Sequence, residues 1–124
     1  MEKALIIDDS RAIRSILGST IKSLGFEIAE AENGCKAVEE LDRLGPPIRL
    51  MLVDWNMPVM NGLEFVKELR GRAEFNDSKV MMVTTETAID QMVLALEAGA
   101  DEYIMKPFTD EAIIDKLRLL GIVD

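Results

Sequence analysis

The chain has 124 residues, in the range of one domain, and 48% of them are hydrophobic, enough to build a core. Lys and Arg number 14 against 23 Asp and Glu, and the net charge of −9 argues against nucleic acid or anionic membrane as partners. The absence of histidine excludes His-based triads and His-ligated metals, and the single cysteine, Cys35, excludes an internal disulfide or a Cys-pair zinc site.

The first apolar piece, Ala4 to Ile7, is a short strand that runs into Asp8-Asp9-Ser10. It is too short for a signal peptide, and no window approaches a membrane span, so a soluble, cytosolic protein is expected. Ser10 caps a helix whose apolar positions are Ile13, Ile16, Leu17, Ile21 and Leu24, with Gly25 as its C′ residue. Phe26 to Ala31 is a second strand. Asn33-Gly34 reads as a turn, and Ala37, Val38, Leu41 and Leu44 mark a second helix that Gly45-Pro46-Pro47 ends.

Leu50 to Asp54 is the third strand. It is apolar until it stops at Asp54, and Pro58 forbids its continuation. Asn61 with Glu64 forms a capping arrangement before Leu63, Val66 and Leu69 of the third helix. Arg70 to Asp77 reads as a polar loop. Lys79 to Thr85 is the fourth strand. Thr87 and Asp90 open a fourth helix bearing Ile89, Met92, Val93 and Leu96, which Gly99 closes. Asp101 to Lys106 is the fifth strand, stopped by Pro107. Thr109-Asp110-Glu111 starts the last helix, with acids where the dipole favours them and an inner stripe of Ile113, Leu117 and Leu120.

Strict alternation of strand and helix predicts an α/β fold: a parallel sheet with helices on both faces, in one domain spanning residues 1–124 with no output domain. Fully apolar strands fit burial on both faces. In a parallel sheet all carboxyl ends share one edge, where open α/β sheets bind their ligands. At those ends stand Asp8 and Asp9, Asp54, Thr84 and Lys106. The order 2-1-3-4-5, established for flavodoxin-like sheets rather than read from this chain, makes strands one and three neighbours and brings three carboxylates together.

Such a cluster is costly alone: two like charges 4 Å apart repel by roughly 4 kcal/mol at an effective dielectric of 20. Half-exposed, oxygen-only ligands suit Mg²⁺. With Lys106 and the Thr84 hydroxyl, the set would cradle a phosphoryl group on one carboxylate, and Asp54, on the central strand, is the expected acceptor. Taken singly, Asp8 and Asp9 fit helix capping, Lys106 a solvated strand end and Thr84 ordinary strand preference. It is their occurrence together, at one edge, that points to chemistry.

The chain resembles the receiver domain of two-component response regulators, and among them the single-domain chemotaxis regulators. The resemblance is carried by Asp8-Asp9, by Asp54-Trp55-Asn56-Met57-Pro58 with Asn61-Gly62-Leu63-Glu64, and by Thr84, Tyr103 and Lys106-Pro107-Phe108. It implies that Asp54 accepts phosphate from a histidine kinase. It implies Mg²⁺ on Asp9, Asp54 and the Asn56 backbone carbonyl, with Asp8 contributing through water, and Lys106 on the phosphoryl oxygens. Thr84 and Tyr103 would be the switch pair, the hydroxyl swinging to the phosphoryl group and Tyr103 turning into the space it leaves. Asn56 and Glu86 would tune dephosphorylation. The implied downstream partner is a flagellar motor switch or another protein, with room for a phosphatase. Two alternatives stand beside this switch, which would not be a turnover enzyme. One is a Mg²⁺-dependent phosphatase with an aspartate nucleophile, which is expected to carry D-x-D on strand one and a substrate cap. The other is a receiver-like adaptor that never carries phosphate.

Overall fold

The strands alternate in the way the apolar runs demand. In the computed structural model, which describes residues 1–85 and 89–124, the elements run β1 (Lys3–Ile7), α1 (Arg11–Lys22), β2 (Glu27–Ala31), α2 (Gly34–Leu44), β3 (Leu50–Val53), α3 (Gly62–Arg70), β4 (Lys79–Thr84), α4 (Ile89–Ala98), β5 (Glu102–Met105) and α5 (Asp110–Leu119). All strand pairings are parallel, in the order β2-β1-β3-β4-β5. Successive side chains of a strand point to opposite faces. Leu5, Ile7, Met51, Val53, Val80 and Met82 therefore line one core, completed from α2, α3 and α4 by Ala37, Leu41, Phe65, Leu69 and Ala95. Ala4, Ile6, Leu50, Leu52, Met81 and Val83 line the other, completed from α1 and α5 by Leu17, Ile21, Ile113 and Leu117. The chain crosses from one face to the other between β1 and β3, so the switch point lies there. Among the described residues no helix is long and apolar enough to cross a membrane.

Side chains on the helix ends explain where the helices begin. Ser10, Asn33, Asn61 and Thr109 each accept a backbone N–H three residues on, and Asn61 with Glu64 closes a full capping box. Asn33-Gly34 is thus a helix start rather than a free turn. Helix α1 ends at Lys22, and Gly25, with φ +96°, follows one residue later than the expected C′ position.

The segment from Arg70 to Asp77 is more ordered than a polar loop. It holds a 3₁₀ turn at Ala73–Phe75 with Phe75 buried in the core. Arg70 staples the amino-terminal edge of the sheet. Its guanidinium donates to the carbonyls of Gly99 (3.0 Å), Phe75 (3.3 Å) and Ser78 (2.9 Å), and to Asp101 Oδ2 (3.0 Å).

One strained position lies between β3 and α3. Val59 has φ +70° and is 85% exposed, so a β-branched side chain sits in the left-handed region with little packing to offset it. The cost of that conformation is about 1–2 kcal/mol. Asn tolerates it far better, so Val59→Asn is expected to raise stability by about 1 kcal/mol in urea denaturation; an unchanged midpoint would contradict the strain.

Candidate functional site

The ladder of the sheet continues one residue beyond its strands at the carboxyl edge. Ile7 pairs with Val53, and the Asp54 N–H donates to the Ile7 carbonyl at 2.9 Å. Thr84 pairs with Met105, and the Lys106 N–H donates to the Thr84 carbonyl at 2.9 Å. The Asp8 N–H donates to Ala31 at 3.1 Å. The backbones of Asp8, Asp54 and Lys106 are therefore fixed by sheet geometry, not by loop conformation.

Their side chains converge. Carboxylate oxygens of Asp8, Asp9 and Asp54 all lie within 4.8 Å of one another. Asp8 is 1% exposed and Asp54 5%, whereas Asp9 faces solvent. Lys106 Nζ lies 2.7 Å from Asp8 Oδ2 and 3.6 Å from Asp54 Oδ2. Asp8 Oδ1 accepts the Ser10 N–H at 2.8 Å, and Asp54 Oδ1 accepts the Trp55 N–H at 2.8 Å. Thr84, wholly buried at the end of β4, favours the charged form of Asp54.

These contacts do not neutralise the cluster. Burial pushes the Asp54 pKa above its ordinary value of 3.8, and the Asp8 charge pushes the same way; Lys106, Thr84 and the Trp55 N–H oppose them and lose. Lys106 brings one positive charge to three carboxylates. Oxygen donors held on rigid backbone, with solvent access beside Asp9, suit a hard divalent cation, so the cluster could hold one.

The raised pKa has a definite sign in stability. The folded state binds the Asp54 proton more tightly than the unfolded chain, so this group's contribution is fully present below 3.8 and is lost as pH rises through the raised value. In metal-free urea denaturation, wild type minus Asp54→Asn should therefore become more favourable as pH falls from neutral toward 3.8. A difference that stays flat with pH would contradict the assignment.

The loop after Asp54 folds back on the site. Trp55 and Met57 are buried beneath it, and the side chain of Asn56, two residues past Asp54, is exposed. The Gly62 N–H returns to the Trp55 carbonyl at 2.9 Å, and the Met60 carbonyl accepts the Gly34 N–H of α2 at 3.1 Å.

Of the expected switch pair, Thr84 is wholly buried at the end of β4 and Tyr103 is buried in the core that α2, α3 and α4 complete. Glu86 and Thr87, read from the sequence as a tuning residue and a helix opener, lie outside the described residues.

One contact at the site was not foreseen. Arg14 Nη1 donates to the Asp8 carbonyl at 2.7 Å while its Nε donates to Glu30 at 2.9 Å. The weak sequence signal is a cation one helical turn after Ser10, beside Ile13 and Leu17 on the face that meets the sheet.

A profile of the response regulator receiver domain matches residues 4–118. The chain belongs to the response regulator receiver family. This receiver is 40% identical over 119 residues to Chemotaxis protein CheY1 of Helicobacter pylori, with 95% of each chain covered. It is 40% identical to the Chemotaxis protein CheY homolog of Campylobacter jejuni, over 94% of this chain and 89% of that one. The solved structure of Vibrio cholerae chemotaxis protein CheY4 matches it with a TM-score of 0.87 at 32% identity, covering 96% of this chain and 98% of the other. The receiver domain protein of Methanospirillum hungatei matches with a TM-score of 0.85 at 27% identity, over 97% and 93%. Members of this family act as phosphorylation-dependent switches of two-component signalling, and the acid-lined edge of this receiver is the part of the fold suited to that work.

Proposed function

We propose that this receiver is the phosphorylation-dependent switch of a chemotaxis pathway, with Asp54 as phosphoacceptor. The observation that carries the reading is the convergence of Asp8, Asp9 and Asp54, with the ammonium of Lys106 against Asp8 and Asp54. Asp54 is held through Oδ1 by the Trp55 N–H, which leaves Oδ2 on the side of Lys106. An Asp54 oxygen attacks the phosphorus of a phosphohistidine on a kinase; the P–O bond forms, the P–N bond breaks, and the departing imidazole nitrogen takes up a proton from water. Asp9, Asp54 and the Asn56 carbonyl would hold Mg²⁺, with Asp8 reached through water. Bound there, Mg²⁺ supplies charge neutralisation for the phosphoryl oxygens. Asn56 and Glu86 are the positions that would tune loss of the phosphoryl group.

The surface supports partners on both sides of this step. Ile13, Ile16, Pro107 and Phe108 form an apolar shelf beside Lys106, where a phosphodonor protein fits. Ile89, Val93 and Leu96 of α4, Met105 of β5 and Leu119 of α5 are exposed, which suits a downstream protein such as a motor switch component, or a phosphatase. The switch itself needs several contacts. A charge-assisted hydrogen bond contributes about 1.5–3 kcal/mol, whereas a shift from 1:99 to 99:1 needs about 5.5 kcal/mol. Thr84 alone is insufficient, and Lys106 with a bound partner supplies the remainder.

Intact mass after treatment with acetyl phosphate and Mg²⁺ tests the assignment. Wild type is expected to gain one phosphoryl group and Asp54→Asn none. A wild type that stays unmodified, or an Asn variant that is modified equally, overturns it. Repeated turnover of unrelated phosphomonoesters would mark a phosphatase instead.

A further inference from the structure

We propose that Arg14 is a positioning residue for the acidic cluster, fixing the peptide between Asp8 and Asp9 so that both carboxylates stay aimed at one point. The inference rests on reading that cluster as a divalent-cation site.

Arg14 lies in the first turn of α1, its N–H bonded to the Ser10 carbonyl at 3.0 Å. Its side chain is 15% exposed, and its fork is divided between two acceptors: Nη1 takes the Asp8 carbonyl and Nε takes Glu30. Glu30 precedes Ala31 on β2, and Ala31 accepts the Asp8 N–H at 3.1 Å. Asp8 is thus held on its amide side by the end of β2 and on its carbonyl side by a guanidinium anchored to the same strand. The Asp8 carbonyl belongs to the peptide plane that leads to Asp9. Fixing that plane sets where the Asp9 side chain departs. Asp9 needs this, because among the described residues none donates a hydrogen bond to its carboxylate, and it faces solvent. Charge-assisted bonds from a planar fork suit the task, since two donors in fixed relation define an orientation and not merely a distance.

The sign of the effect separates this role from its rivals. Arg14 is itself a cation near a cation site. If only its field mattered, Arg14→Ala would tighten Mg²⁺ binding. If it only clamped α1 to β2, Mg²⁺ affinity would not change. Positioning predicts weaker binding, by about 10- to 100-fold on the scale of outer-shell partners of metal ligands. Trp55, whose amide bonds Asp54, is the reporter: Mg²⁺ is titrated against its fluorescence in the whole chain. Arg14→Ala is expected to weaken binding at least about 10-fold, as is Glu30→Ala to a smaller degree. Glu30→Gln, which keeps the acceptor, is expected to match wild type. Arg70→Ala, which loosens the opposite edge of the sheet, is expected to lose stability without losing Mg²⁺ affinity. Unchanged or tighter binding by both Arg14→Ala and Glu30→Ala overturns the proposal. Should wild type itself bind no Mg²⁺, the cation-site reading fails; hydrogen exchange at the Ser10 amide, protected by Asp8 Oδ1, then decides Arg14 separately. Faster Ser10 exchange in Arg14→Ala but not in Arg70→Ala supports it, and equal exchange overturns it.

Discussion

Gly62→Ala is expected to lower stability by about 3 kcal/mol, the upper end for overpacking a filled site, and to slow phosphorylation about 100-fold. An alanine Cβ at this position would overlap the Asp54 carbonyl oxygen and lie 2.9 Å from its carbonyl carbon and 3.0 Å from the Trp55 Cα. All three are backbone atoms, so no side chain can swing aside. Either α3 retreats, breaking the bond from the Gly62 N–H to the Trp55 carbonyl, or the chain at Asp54 moves. Asp54 is itself tied to β1 through Ile7, so its displacement disturbs the acidic cluster directly. A misplacement of about 1 Å at a reacting group costs on the order of 100-fold in rate. Urea denaturation reads the first effect and the rate of acetyl phosphate labelling the second. An alanine variant that is as stable and as quickly labelled as wild type would show that the close approach is not needed.

What the sequence revealed, and what it hid, divides along a physical line. Strands that are apolar on both faces, such as Leu50 to Val53, announce a covered parallel sheet. Once the sheet is parallel, every polar residue that ends a strand must share one edge, and so Asp8, Asp54, Thr84 and Lys106 could be brought together before any coordinates. Arg14 and Arg70 were hidden for the converse reason. Most of their donors go to main-chain carbonyls, and a carbonyl leaves no mark in the residue type that carries it. Helix α4 shows a different limit. The spacing of Ile89, Val93 and Leu96 marks an apolar face, but spacing does not say what covers it, and in the folded chain that face is exposed. The Asn-Gly pair at 33–34 fits a tight turn and a helix cap equally well; only the Asn33 bond to the Lys36 N–H selects the cap.

The charge balance of the acidic cluster governs the last and largest effect expected. Lys106→Met should destabilise the metal-free protein by about 3–5 kcal/mol, the usual cost of removing one partner from a buried ion pair, and Mg²⁺ should restore part of that loss. The Lys106 side chain is 14% exposed, and its ammonium sits 2.7 Å from an Asp8 carboxylate that is almost wholly buried. Without it, Asp8 and Asp54 face each other with, among the described residues, backbone hydrogen bonds from Ser10 and Trp55. Methionine fills similar volume but brings no charge. In wild type a bound cation must compete with the ammonium for Asp8; in the variant it meets no competitor. Mg²⁺ affinity is therefore expected to rise by about 10-fold or more, equivalent to about 1.4 kcal/mol of differential interaction. Stabilisation by the metal should grow with its concentration as mass action requires, and more steeply for the variant than for wild type. Paired unfolding curves with and without Mg²⁺ test both parts. If Lys106→Met unfolds at the wild-type midpoint without metal, or gains no more from Mg²⁺ than wild type does, then Lys106 is not the counter-ion of the cluster.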